Sequence, residues 1–115
     1  MTIVEFIEAR IAEDEETAKY SGGDSWTDDD RFNRVDVTEG YIETSHHGAH
    51  IARHDPARVL RQCAAIRELV KIASDVEAMY SIPAEDAADS IRKTIAAIWS
   101  DHPDYQQEWS IGVGA

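Results

Sequence analysis

The sequence predicts an α+β fold dominated by helix: three helices, the second and third an antiparallel pair, and one β-hairpin. Three observations predict it. Apolar residues recur at helical spacing in three long stretches. Val35-Asp36-Val37 alternates with period two and runs into a glycine turn. Gly22-Gly23, Asp55-Pro56 and Ser81-Ile82-Pro83 punctuate the chain between these stretches.

The first helix is expected near residues 3–19. Thr2-Ile3-Val4-Glu5 is a capping box, in which the threonine oxygen satisfies an early helix N–H and the glutamate reaches back. Ile3, Phe6, Ile7, Ile11 and Ala12 share one face, and Gly22-Gly23 ends the helix. Residues 21–30 read as a solvated acidic loop. Asp24, Asp28, Asp29 and Asp30 lack the glycine and terminal glutamate of a calcium loop. The hairpin is expected over about 31–45, with strands near 31–37 and 41–45 around Thr38-Glu39-Gly40. A lone hairpin is marginal, so its apolar face must lie on a helix.

The second helix is expected near 56–80. Asp55 serves as its N-cap and Pro56 fills the first helical position. Val59, Cys63, Ile66, Val70 and Ala73 repeat at spacings of four and three. Residues 48–54 read as a short helical turn of their own. The third helix is expected near 84–100, with Ala84, Ala87, Ala88, Ile91, Ile95, Ile98 and Trp99 as its stripe. Val59, Ile66, Val70, Ile91, Ile95 and Trp99 form the expected core. Asp101-His102-Pro103-Asp104 stops the third helix, Tyr105 and Trp109 anchor the tail, and residues 110–115 fray.

A chain of 115 residues fits one domain, 1–115. Its net charge of −12 argues against direct nucleic-acid binding and against an anionic membrane surface, both of which require a basic face. The charge is uneven: residues 1–30 hold ten acids and two bases, whereas residues 49–71 hold five bases and two acids. Cys63 is the sole cysteine, which excludes an internal disulfide, and its place on the apolar stripe points to a buried thiol. No apolar run approaches the roughly 18 residues of a membrane span. The N-terminus lacks the basic and apolar regions of a signal peptide, so a cytoplasmic protein is expected.

Chemistry concentrates in residues 46–61. Four of the five histidines lie there, His46, His47, His50 and His54, with Arg53, Arg58 and Arg61. His50, Arg53, His54, Arg58 and Arg61 are the candidate binding residues. On one helical face, His46, His47, His50 and His54 could ligate zinc with Asp55, but no His-Glu-x-x-His pattern is present and Gly48 weakens the helix. No metal and no cofactor are therefore expected, and His50 and His54 orient the entry to the second helix. Arginines at a helix N-terminus are mildly unfavourable unless an anion sits there. With acids twice as abundant as bases, the expected anions for Arg58 and Arg61 are the protein's own carboxylates.

Three blocks carry a resemblance: Val4-Glu5-Phe6-Ile7-Glu8-Ala9-Arg10-Ile11-Ala12-Glu13-Asp14-Glu15, then His50-Ile51-Ala52-Arg53-His54-Asp55-Pro56-Ala57-Arg58-Val59-Leu60-Arg61, then Asp101-His102-Pro103-Asp104-Tyr105 with Trp109 close behind. On these the chain resembles an uncharacterised family of small proteins from actinobacteria and their bacteriophages. The resemblance implies a microbial or phage cytoplasmic protein and carries no activity, cofactor or substrate.

The functional expectation is a small acidic accessory or regulatory protein, non-enzymatic, that binds another protein of the host or cell. One alternative is a metal- or phosphate-dependent enzyme using residues 46–61. Another is a DNA mimic that blocks a DNA-binding protein, since acidic fields steer basic partners. The second helix carries apolar residues beyond one narrow stripe, which raises a homodimer through paired helices as a further expectation.

Overall fold

A computed structural model describes residues 1–111. The expected α+β class holds, with four helices rather than three and a three-stranded antiparallel sheet in place of a lone hairpin. In order the elements are α1 (Ile3–Tyr20), β1 (Thr27–Asp29), β2 (Arg34–Val37), β3 (Gly40–Glu43), α2 (Gly48–Arg53), α3 (Pro56–Glu77) and α4 (Ile82–Ala96), followed by 3₁₀ turns at Ala97–Trp99 and Gln107–Trp109. None of the described helices is long and apolar enough to cross a membrane. The frayed tail expected at 110–115 lies, beyond residue 111, outside the described residues.

The fold divides into two compact units, residues 1–12 with 65–115, and residues 13–64. In the first, Thr2 and Glu5 form the capping box: Glu5 N–H donates to Thr2 Oγ1 (3.1 Å) and Thr2 N–H to Glu5 Oε1 (3.0 Å). The helix it starts buries Phe6, Ile7 and Ile11 completely. Phe6 collects the tail, with ring centroids 6.0 Å from Tyr105 and 5.0 Å from Trp109, so both aromatics anchor as expected. The Arg10 guanidinium lies against the His102 ring, whose Nδ1 accepts the Asp104 N–H (3.0 Å).

Two helix ends differ from the expected bounds. The helix expected over 56–80 stops at Glu77, and Tyr80 closes the turn with φ 53°. The helix expected over 84–100 begins earlier, where the Ser81 hydroxyl caps the Ala84 N–H (3.2 Å), and tightens into 3₁₀ after Ala96. Ile98, expected on the stripe, is exposed at 59% while Ile95 is buried. Arg92 donates to Glu77 (2.7 Å) and to Ser74 Oγ (3.4 Å), and Leu69 faces Ile91 and Ile95, so α3 and α4 run antiparallel as expected. Of the expected core, Val70 and Ile95 are buried and Ile66, Ile91 and Trp99 half-buried; Val59, also half-buried, belongs to the second unit.

In the second unit, Gly22 and Gly23 end α1 with φ of 103° and 71°, and their N–H groups return to the Lys19 and Ala18 carbonyls. The sheet order is β1-β2-β3, with Val35 paired to Asp28 and to Ile42. Its inner face carries Asp28, fully buried Val35, Ile42 and, just past β3, Thr44. α2 packs on this face through Gly48, where a Cβ would collide with the Asp28 carboxylate and press on the Thr44 hydroxyl. The glycine that weakens this helix thus lets it approach the sheet.

Candidate functional site

The site is the corner where α2 hands over to α3. α2 is a separate short helix, as expected, and His54 is its C-cap. Asp55 then starts α3. Its Oδ1 accepts the Arg58 N–H (2.8 Å), the N-cap bond foreseen in the Asp-Pro step, while its Oδ2 accepts the Trp26 N–H (3.0 Å). The Ala57 N–H donates to the Asp24 carbonyl (3.2 Å), so the loop before β1 is stitched to the helix start by two bonds. Asp55 is only 8% exposed. Burial alone would raise its pKa, but the Arg58 and Trp26 N–H groups, with Arg61 and Arg58 nearby, hold the carboxyl below its usual value.

The cations gather around this carboxylate without a close ion pair to it, and the Arg61 and Arg58 guanidiniums act on it through their charge alone. The His50 and His54 rings are 4.5 Å apart. The Arg58 guanidinium donates to the Arg53 carbonyl (3.5 Å). Desolvation, then His50, Arg58 and Arg53, push the His54 pKa down. Among the described residues, none of Arg53, Arg58 and Arg61 has a carboxylate oxygen within 4.0 Å. This corrects the expectation that the protein's own acids hold Arg58 and Arg61. Two acids at this corner are occupied otherwise: Asp55 by backbone N–H groups, and Asp24 by the Thr38 hydroxyl (3.3 Å).

The alternative metal set is not brought together. His46 and His47 are exposed in the turn before α2, with rings 6.3 Å apart, and Asp55 is committed to its cap. Among the described residues no three His, Cys, Asp or Glu side chains could hold a metal ion.

Beside the cations runs a cleft of about 340 Å³ that the sequence did not disclose, lined by Thr17, Ser21, Trp26, His54, Pro56 and Val59 among others. Trp26 gives it an aromatic wall, and the buried indole Nε1 has no hydrogen-bond partner among the described residues. A lone tryptophan amid aspartates was the only signal for it. Cys63 is buried, as its stripe position implied.

No curated protein and no solved structure matches the chain. Residues 1–111 match a family of unknown function (DUF6221), and the chain belongs to that family.

Proposed function

We propose that this is a non-enzymatic binding protein whose α2–α3 corner receives an acidic surface of a partner protein. The observation that carries the reading is that, among the described residues, Arg53, Arg58 and Arg61 have no carboxylate oxygen within 4.0 Å beside His50 and His54, in a chain with 23 acids. Three guanidiniums next to a helix N-terminus favour an external carboxylate. The rigid cap at Asp55 holds them in place without quenching them. The adjoining cleft, with its tryptophan wall, suits an apolar side chain carried beside that carboxylate.

The test compares proteins captured from the native host's lysate by the wild-type chain and by the combined variant Arg53→Gln, Arg58→Gln, Arg61→Gln. A partner held by the wild type, released by moderate salt and missing with the variant is the expected result. Identical capture by both would refute the reading. Melting curves with zinc and with inorganic phosphate separate the alternatives. A ligand at about 100 times its Kd stabilises by about 2.7 kcal/mol. A shift of that size with zinc, lost in His50→Ala and His54→Ala, would favour a metal site over protein binding.

A further inference from the structure

The sheet has one edge that the fold leaves open. Natural edge strands are blunted by brevity, proline, lysine, bulges or an inward-pointing charge. β1 is three residues long and turns Asp28 inward. β3, four residues long, has no proline, lysine, bulge or inward-pointing charge, and its one charged side chain is Glu43. All four of its residues are exposed, Tyr41 at 56% and Ile42 at 38%, and among the described residues it pairs only with β2.

The ladder shows which backbone groups face outward. Thr44 N–H donates to the Asn33 carbonyl (2.7 Å), just beyond the register pair Arg34↔Glu43. In an antiparallel pair the bonding role alternates along the strand. Thr44, Ile42 and Gly40 therefore turn their polar backbone toward β2. Tyr41 and Glu43 turn theirs outward, a row of two N–H and two C=O groups. The side chains of these same two residues project from the outer face, where Tyr41 stacks with Arg34 (5.0 Å from guanidinium carbon to ring centroid).

The charge along this edge indicates what would pair with it. Residues 21–45 carry seven acids and two arginines. Both arginines are engaged, Arg31 with Asp29 (3.2 Å) and Arg34 with Asp36 (3.0 Å). Glu39 and Glu43, at the two ends of β3, have no ion pair among the described residues.

We propose that β3 is a docking edge for an extended basic segment of a partner protein, which adds to the sheet as a fourth strand. Backbone bonds at Tyr41 and Glu43 supply register. A lysine or arginine of the incoming strand lays its stem along Tyr41 and its charge at Glu43. A second copy of this chain fits less well. It brings another −12 charges with its own Glu39 and Glu43 to the seam, and a four-residue edge covers far less than the roughly 1,200 Å² of a stable interface.

The probe is a capped alternating lysine–valine peptide, with a glutamate–valine peptide as control, titrated into the full chain. Hydrogen exchange at single amides is the readout. The lysine–valine peptide should slow exchange at Tyr41 and Glu43 while leaving Ile42, already bonded within the sheet, nearly unchanged. Glu43→Pro removes an outward N–H without breaking the β2–β3 ladder, and should weaken binding about tenfold. Should that variant unfold, the double variant Glu39→Gln, Glu43→Gln should weaken binding several-fold and flatten its salt dependence. Equal protection by both peptides, binding that leaves the Tyr41 and Glu43 amides unprotected, or affinity indifferent to both variants would overturn the proposal. Protection of those amides that rises with protein concentration, without peptide, would assign the edge to a second copy and overturn it as well.

Discussion

Asp55→Ala should be the most informative single change in the second unit. One carboxylate makes two bonds, to Arg58 N–H at 2.8 Å and to Trp26 N–H at 3.0 Å. Loss of an N-cap costs about 1 kcal/mol. Leaving the part-buried Trp26 N–H without an acceptor adds about 1–2 kcal/mol. The total of about 2–3 kcal/mol exceeds the cap-only value that the Asp-Pro step suggested, and corresponds to a Tm lower by roughly 8–12 °C. Asp55→Asn keeps one oxygen acceptor and should lose about half as much. The pH dependence follows from the lowered pKa of this carboxyl. The folded state binds the proton less readily than the unfolded state, whose aspartate titrates near pH 3.9. The contribution is therefore complete above about pH 5 and falls away as pH drops through the folded pKa. Urea unfolding of the wild type and Asp55→Asn from pH 7 to pH 2.5 should show two curves that converge in acid. A gap that stays constant over that range, or an Asp55→Ala variant as stable as the wild type at pH 7, would refute the two-bond account.

Three further outcomes are expected. Gly48→Ala forces a methyl against the Asp28 carboxylate and should cost about 1–3 kcal/mol in urea unfolding, with partial recovery in the double variant Gly48→Ala, Asp28→Ala. Trp109→Ala empties the buried place against Phe6 and should cost about 3–5 kcal/mol, with increased exchange along the first turns of α1. Arg92→Ala breaks the contacts with Glu77 and Ser74; because Glu77 is half-exposed, a double-mutant cycle with Glu77→Ala should return a coupling of no more than about 1 kcal/mol.

What was legible in the sequence was whatever is decided within a few residues. The Thr2–Glu5 box, the Asp55-Pro56 start and the Gly22-Gly23 stop rest on side chains that satisfy nearby backbone groups, so composition at those steps is enough. The antiparallel α3–α4 pair followed from apolar spacing. β1 was not legible. Thr27-Asp28-Asp29 shows no apolar alternation, and it becomes a strand because β2 offers it hydrogen bonds. The candidate site divides along the same line. Sequence clustering found His50, Arg53, His54, Arg58 and Arg61. An abundance of acids said nothing about where those acids point, and the ion pairs expected for Arg58 and Arg61 do not form among the described residues. The cleft joins Thr17 of α1 to Trp26 and to Val59 of α3, a juxtaposition that only the fold creates.

The ring cluster around Phe6 has a consequence for synthesis. Phe6 leaves the ribosome about a hundred residues before His102, Tyr105 and Trp109, which emerge some 5–20 s later at typical elongation rates. Until then the most apolar face of the nascent N-terminal helix lacks its aromatic cover. A truncation that stops short of Trp109, or a ribosome stalled before it, should yield a chain in which the helix at 3–20 exposes Phe6 to chaperones and proteases. Gln106 also reaches the Met1 carbonyl (3.3 Å), which fastens together two residues 105 positions apart.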